Sequence, residues 1–219
     1  MKKILVMIAL MLPIAVMAQE KKKESFAIPQ SETTIRMAAE LSKFGYANKD
    51  ALALIQAARL SKQLGLTVEQ KEKAEEGAAV GESGQKSGKV SLDVATLLAD
   101  AKGIAGEDGV LLALIDDVNN NVRGAVGGSK YARDRVNAGA TDVYRVQFRA
   151  NEMAMVTVIG DGDTDLDLYI YDENDNLIDS DEEIDDNCVC IWTPRWTGTY
   201  KIKIVNRGRV YNNYVLHTN

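Results

Sequence analysis

The sequence contains few of the residues on which enzyme catalysis most often depends. Its 219 residues include one histidine, His217, and two cysteines, Cys188 and Cys190. A Ser/His/Asp or Cys/His catalytic site would have to use His217, which we expect on the exposed face of an edge strand, opposite Tyr214 and Leu216. Two thiols are also too few for a thiolate-only zinc site. These shortages predict a protein that is not an enzyme.

The two cysteines stand two residues apart in a run with the character of a β-strand. Side chains at such positions share a face, but their Cα atoms are ~6.6 Å apart. That spacing is close to the upper limit of roughly 6.8 Å for a disulfide. We interpret Cys188 and Cys190 as two half-buried thiols or a local bridge in a bulged strand, and a redox or soft-metal pair is the alternative.

Basic residues are fewer than acidic residues. Lysine and arginine number 26 against 32 aspartates and glutamates, which gives a net charge of -6. Loss of Lys2 and Lys3 with the N-terminal segment described next makes the charge about -8. Nucleic acids and anionic membranes are bound through basic patches, so the composition predicts no nucleic acid partner.

Long apolar runs are absent after the N-terminus. There, Lys2 and Lys3 precede an apolar stretch from Ile4 to Val16, which is shorter than the ~20 residues of a comfortable membrane span. Small residues follow, ending at Ala18, as at a signal peptidase site. We predict a signal peptide over residues 1–18 and a periplasmic or secreted protein with no membrane insertion after cleavage.

Helical periodicity characterises the next part of the chain. Apolar residues recur at helical spacing from Thr33 to Gly65 and predict a helical hairpin within residues 19–66, with its first helix ending at Gly45 and its second capped by Asn48. Residues 67–90 have few large apolar side chains, and we predict a flexible linker there.

A second helical pair is predicted after this linker. Ser91 and Asp108 are candidate caps for its two helices. The pair and a glycine-rich boundary at Gly124, Gly127 and Gly128 occupy residues 91–130.

The last part of the chain, residues 131–219, alternates between apolar and polar side chains. Leu166, Leu168 and Ile170 alternate with polar or tyrosine residues, and similar short runs follow, separated by Gly, Asp and Asn. We predict an antiparallel β-sandwich, jelly-roll-like, with one solvent-facing side on each sheet. The fold class is therefore α+β, a small N-terminal helical region followed by a C-terminal sandwich.

Acidic residues are concentrated between positions 161 and 186, where thirteen occur without a lysine or arginine. Crowded carboxylates repel one another unless a cation neutralises them, and Ca²⁺ prefers such oxygen ligands in loops. The candidate ligands for a Ca²⁺ cofactor are Asp161, Asp163, Asp165, Asp179 and Asp181. The alternative is a solvated acidic face without a metal.

Aromatic residues supply the candidate ligand-binding surface. Trp196 is predicted to be exposed, and Tyr169 and Tyr171 point outward from a strand, so the three could form a platform for a sugar or a peptide. Trp192 is expected instead to hold the turn around Pro194 against the sandwich.

The chain from about residue 138 to Asn219 resembles the bacterial pre-peptidase C-terminal domain. The resemblance is carried by the segment DTDLDLYIYDENDNLI from Asp163, by WTPRWTGTY from Trp192, by VNRG from Val205 and by a closing NYVL from Asn213. The family implies a β-sandwich appended to secreted peptidases and similar to the collagen-binding modules of clostridial collagenases, some of which are stabilised by calcium. This chain departs from the usual arrangement because helical residues, and no peptidase domain, precede the module.

Two functions follow from these patterns. The protein is an exported, non-catalytic accessory or binding protein whose sandwich, calcium-stabilised if the acidic loops bind Ca²⁺, binds an extracellular polymer such as a polysaccharide, or a protein. Alternatively, it is a structural or assembly partner in the cell envelope that docks through its helical half.

Overall fold

A computed structural model describes residues 28–77, 79–120 and 130–219. The predicted signal peptide and the glycines at 124, 127 and 128 lie outside these residues. The helices are α1 (Gln30–Asn48), α2 (Ala51–Gln63), α3 (Val94–Ala105) and α4 (Gly109–Asn120). None of the described helices is long and apolar enough to cross a membrane.

The predicted helical hairpin is confirmed as α1 and α2, although its turn lies later than expected. Helix α1 continues through Gly45. A Cβ at this position would lie 2.6 Å from the Leu54 side chain. The glycine therefore allows α1 and α2 to pack closely and does not end the helix. The helix ends before Lys49, which adopts a left-handed conformation. Asp50, not Asn48, caps α2 by accepting a hydrogen bond from the Ala53 amide.

The second helical pair is formed by α3 and α4. Asp108 accepts hydrogen bonds from the amides of Val110 and Leu111, as predicted. Asp93, not Ser91, caps α3. Ser91 is instead fully buried, and its amide donates to the Ser42 hydroxyl of α1.

Ten strands in the described residues form two five-stranded sheets. They are β1 (Thr67–Val68), β2 (Lys73–Glu76), β3 (Lys130–Val136), β4 (Thr141–Phe148), β5 (Ala154–Ile159), β6 (Leu166–Tyr171), β7 (Leu177–Asp181), β8 (Asn187–Trp192), β9 (Gly198–Asn206) and β10 (Asn212–Thr218). Sheet A has the order β1-β3-β10-β5-β8, and sheet B has the order β2-β4-β9-β6-β7. Numbered one to eight, strands β3 to β10 follow the orders 1-8-3-6 and 2-7-4-5, which is a jelly roll and confirms the predicted architecture.

The prediction of a flexible linker over residues 67–90 is wrong for its first half. Strand β1 pairs in parallel with β3, and β2 pairs antiparallel with β4, so each adds an edge to one sheet. The sequence of β2, Lys-Ala-Glu-Glu, lacks an apolar alternation because most of this edge strand is exposed. Backbone pairing, rather than burial of side chains, holds it in place.

The helices cover one side of the sandwich. Ile35, Ala38 and Ala39 of α1 pack with Tyr131, Ile159 and Val215 on the outer face of sheet A. A separate apolar cluster joins α2, α3 and α4. The expectation that both sheets have a solvent-facing side therefore holds for sheet B, whereas much of the outer face of sheet A is covered.

His217 is not on an exposed edge strand as predicted, because α1 covers the outer face of sheet A where it lies. His217 is 2% exposed. Its Nδ1 lies 3.4 Å from Oε2 of Glu32, a fully buried residue on the first turn of α1. The other oxygen of Glu32 accepts a hydrogen bond of 2.7 Å from the Thr157 hydroxyl of β5. His217 lies on β10, a central strand, so the covering helix and not solvent faces it.

The core between the two sheets contains both cysteines. Cys188 and Cys190 form no disulfide, and they are 2% and 0% exposed. The Cys188 thiol donates to the carbonyl of Leu166, and burial raises its pKa. The interpretation as thiols is confirmed, but they are fully rather than half buried.

Candidate functional site

The outer face of sheet B carries the predicted tyrosine pair. The alternation along β6 places Leu168 and Ile170 in the core and turns Tyr169 and Tyr171 outward. The two rings stack with centroids 6.4 Å apart and an interplanar angle of 28°. Both residues are partly exposed, so they offer a continuous aromatic surface.

Basic groups frame the tyrosine pair. The Lys203 ammonium of β9 lies 5.8 Å from the centre of the Tyr171 ring. Arg207 donates to the Tyr169 hydroxyl at 3.0 Å and to the Asp167 carboxylate at 2.6 Å. Burial and the Asp167 carboxylate raise the pKa of Tyr169, although Arg207 opposes this. The phenol therefore stays neutral near pH 7, and the surface combines aromatic rings with cations.

Trp196 is exposed to 38%, as predicted, and it contacts Tyr200 and Glu173. Its ring stacks on Tyr200 with centroids 6.5 Å apart, and its indole N–H donates to Glu173 at 3.0 Å. Gly198 leaves room for it, because a Cβ there would lie 3.1 Å from the indole. Trp192 packs edge-on against Phe148 in the core.

The acidic residues at the start of the acidic stretch have a lysine partner. The Lys86 ammonium forms ion pairs with both Asp161 and Asp163. Asp163 also accepts hydrogen bonds from the amides of Ser87 and Gly88. Burial would raise the pKa of Asp163, but Lys86 and these amides lower it below its ordinary value. A lysine from the segment that precedes α3 thus occupies the position where a bound cation would be expected.

The later carboxylates of the predicted metal site have a different role. Asp179 and Asp181 of β7 accept hydrogen bonds from the amides of Ile191 and Val189 on β8, at 3.1 and 2.8 Å. Strands β7 and β8 are the edges of different sheets, so these carboxylates close one open side of the sandwich.

The five predicted ligands are therefore not assembled around one point. Asp161 and Asp163 share Lys86, whereas Asp179 and Asp181 share the edge of β8. Burial and the neighbouring Asp167 carboxylate raise the pKa of the fifth, Asp165. Among the described residues, no three His, Cys, Asp or Glu side chains are grouped so that they could hold a metal ion. This arrangement does not fit a calcium site.

Sequence reasoning missed two basic residues on the outer face of sheet A. Arg133 and Arg135 of β3 are exposed, and Arg135 lies over the ring of Tyr211. Their spacing of two residues within a strand was a usable signal, because it places both guanidinium groups on the same face.

Comparisons with known proteins give likenesses of fold only. No protein-family model matches the chain, and no curated protein matches it. Among solved structures, it is similar to the pre-peptidase C-terminal domain of a collagenase from Bacillus anthracis (TM-score 0.34, 14% identity, 42% of this chain and 89% of that one). It is also similar to PliG, a periplasmic inhibitor of g-type lysozyme from Aeromonas hydrophila (0.32, 14%, 43% and 91%). A third is a carbohydrate-binding module of Cellvibrio mixtus lichenase 5A in complex with cellotriose (0.27, 10%, 46% and 81%).

Proposed function

We propose that this protein is an exported, non-catalytic binding module that holds an extracellular polymer or protein on the outer face of sheet B. The observation that carries the proposal is the stacked pair Tyr169 and Tyr171 on the sheet face that the helices leave open. Tyrosines contribute large contact areas at a small cost in side-chain entropy.

The strands beside the tyrosines make this face polar. Arg145 and Gln147 of β4 are exposed, and Lys201 and Lys203 of β9 are half-buried. The β4–β9 and β9–β6 pairings place Arg145 beside Lys201 and Lys203 beside Tyr169. The outer face of a sheet suits an extended chain better than a small molecule, which needs a concave pocket.

The placement of the catalytic residue types also supports a binding role. His217 faces Glu32 beneath α1, and both cysteines lie between the sheets. None of these side chains is accessible to a substrate in solution, so a nucleophile or base would have to come from other residue types.

A second candidate function is docking through the helical half. Met37 and Phe44 of α1 are 54% and 53% exposed, and Leu41 lies between them on the same stripe. An exposed apolar stripe on a helix is a feature of protein-binding surfaces. An envelope protein would be the partner in this case.

Two double variants separate these functions. The chain and the variants Tyr169→Ala/Tyr171→Ala and Met37→Ala/Phe44→Ala are incubated with insoluble peptidoglycan, cellulose and collagen, and the bound fraction is measured. We expect the tyrosine variant to bind one of these polymers roughly tenfold more weakly, because aromatic anchors carry much of the energy of an interface, while the helix variant binds like the unmodified chain.

The opposite result would contradict the proposal. If the tyrosine variant retains full binding to a polymer that the unmodified chain binds, the outer face of sheet B is not the contact surface. If the unmodified chain binds none of these polymers, but an envelope protein binds it and does not bind the helix variant, docking through α1 replaces polymer binding as the proposed function. Unfolding temperatures of all three proteins control for loss of structure.

A further inference from the structure

A lysine and two aspartates meet between the two sheets, at the edge of the sandwich where β2 lies. The Lys73 ammonium of β2 is 2.5 Å from a carboxylate oxygen of Asp134 on β3 and 2.8 Å from Oδ2 of Asp142 on β4. It also donates a hydrogen bond of 2.6 Å to the backbone carbonyl of Arg135. Strand β3 belongs to sheet A, and β2 and β4 belong to sheet B, so this lysine joins the two sheets.

Asp142 differs from its two neighbours because solvent does not reach it. Its side chain is 0% exposed, whereas the side chains of Lys73 and Asp134 are 24% and 28% exposed. Oδ2 also accepts a hydrogen bond of 2.6 Å from the Tyr214 hydroxyl, but the buried Oδ1 has no hydrogen-bond partner among the described residues. Burial raises the pKa of Asp142, although Lys73 and Tyr214 oppose this. An unsatisfied carboxylate oxygen is costly in the interior, so a reaction that removes its charge is favoured.

The chain holds a second lysine between two aspartates, and the comparison shows what is different about Asp142. Lys86 pairs with Asp161 and Asp163. Asp161 also accepts hydrogen bonds from the amide and the side chain of Asn213, and Asp163 accepts them from two backbone amides. These donors stabilise the charged form of both carboxylates. Asp142 has an orphaned oxygen in place of such donors.

We propose that Lys73 and Asp142 form an intramolecular isopeptide bond, with Asp134 as the general base. The new bond joins Nζ of Lys73 to Cγ of Asp142 and releases one water. A nitrogen at hydrogen-bond distance from a carboxylate oxygen is roughly 3.5 Å from the carboxylate carbon, which is a near-attack separation. The amide is uncharged, so its formation removes an ammonium and a carboxylate from a site where ions are costly. All the reacting groups belong to this chain.

The reaction balances within this cluster. Transfer of one proton from Lys73 to Asp142 gives a neutral amine and a neutral carboxyl group. The amine nitrogen attacks Cγ, and Asp134 takes a proton from it and passes this proton to the departing oxygen. Oδ1, which no donor holds, leaves as water, while the Tyr214 hydroxyl stabilises the negative charge that develops on Oδ2. Of the three ammonium protons, one stays on the amide nitrogen and two leave with the water.

The charge of Lys73 makes this a slow reaction. Burial acts to lower the pKa of Lys73, but its two carboxylate partners raise it overall. The neutral amine is therefore the less populated form, and we expect the bond to form gradually after folding. Fixed positions compensate for this, because well-oriented groups within one molecule react as if at about 10⁵ to 10⁸ M.

The bond makes the attachment of β2 to the sandwich permanent. Most of this edge strand is exposed, and its side chains contribute little burial. A link between positions 73 and 142 also encloses α3, α4 and β3 in a closed loop. The reacting groups lie between the sheets and not on the outer face of sheet B, so this proposal can fail or succeed independently of polymer binding.

Intact mass spectrometry of the purified, folded chain tests the proposal. Loss of one water lowers the mass by about 18 Da relative to the sequence, and we expect this form to predominate once the mass no longer changes with incubation. A tryptic digest should contain a branched peptide that joins Lys73 to Asp142. We expect the variants Lys73→Arg and Asp134→Asn to keep the full sequence mass, because a guanidinium stays protonated and an amide cannot act as the base. Circular dichroism checks that both variants fold.

Lys203→Arg is the matched control. Lys203 forms an ion pair of 2.6 Å with Glu76 of the same edge strand, but the Glu76 side chain is 50% exposed. We expect this variant to lose the water as completely as the unmodified chain. A folded, unmodified chain with its full sequence mass would overturn the proposal even if a variant failed to fold, as would a water loss that maps to other residues. Equally complete loss of water in Asp134→Asn would overturn the role of Asp134 as the base.

Discussion

Replacement of Glu32 by alanine tests whether the helices and the sandwich are joined through a buried polar contact. Glu32 is fully buried, accepts a hydrogen bond from Thr157 and faces His217. The substitution leaves the Thr157 hydroxyl and the His217 imidazole without their partner in an interior that solvent does not reach. Both the lost contacts and the small cavity act against folding.

Three related replacements are expected to lower the free energy of unfolding by different amounts. Loss of a buried acceptor leaves its donor unsatisfied at a cost of about 1 to 3 kcal/mol, and the cavity left by the side chain adds to it, so we expect Glu32→Ala to lower the free energy of unfolding by about 3 kcal/mol. Thr157→Val removes one hydrogen bond to a carboxylate and should cost about 2 kcal/mol. The double replacement Glu32→Leu/His217→Leu removes both ionisable groups and leaves only the Thr157 hydroxyl without its acceptor, so it should cost less than Glu32→Ala, about 1 to 2 kcal/mol.

Denaturant unfolding followed by two signals measures these differences. Both tryptophans lie in the sandwich, so their fluorescence reports the sheets, whereas the helical circular-dichroism signal reports α1 to α4. In the unmodified chain we expect the two transitions to coincide, because one apolar cluster spans both layers. A cost below about 1 kcal/mol for Glu32→Ala, or a double variant as unstable as the single one, would refute the reasoning.

Three further predictions concern the thiols, the acidic loop and calcium. Cys188 and Cys190 should react with a thiol reagent only after denaturant is added, and rapid reaction of the folded chain would contradict their burial. Because the pKa of Asp163 is lower in the folded protein than its ordinary value, its contribution to stability is present above about pH 4 and is lost as the pH falls through the lowered folded pKa. Lys86→Met should therefore reduce stability at neutral pH and flatten the acid dependence measured by thermal unfolding, and an unchanged profile would exclude this ion pair as the cause. The sequence prediction of calcium binding requires a rise of several degrees in unfolding temperature with millimolar Ca²⁺ over EDTA and no such rise with Mg²⁺, and equal temperatures would contradict it.

The sequence predicted the elements whose apolar pattern is set by their own neighbours. The alternation in β6 correctly turned Tyr169 and Tyr171 to one face, and the helical spacing located the hairpin. Strand β2 was missed because an edge strand with mostly exposed side chains needs no apolar alternation. His217 was misplaced because the α1 helix that covers it lies about 180 residues earlier in the chain, and no local pattern reports that contact.

The candidate site was predictable to a similar extent. Outward orientation of the tyrosines follows from the strand period, but the separate contacts of Trp196 depend on Gly198 and Glu173 in three dimensions. The sequence correctly indicated that the negative charges of the acidic stretch need partners that compensate them. Its partners, the Lys86 ammonium and the backbone amides of β8, come from remote segments, so composition suggested a metal where the fold supplies protein donors.

The position of β10 has a consequence for how the chain assembles. This strand is the last in the sequence, yet it lies between β3 and β5 in sheet A and contributes Val215 and His217 to the surface on which α1 packs. A ribosome releases α1 first and β10 last. The helices can therefore complete their docking only after β10 has been released, and loss of residues 212–219 would remove the centre of the surface on which the N-terminal helices pack.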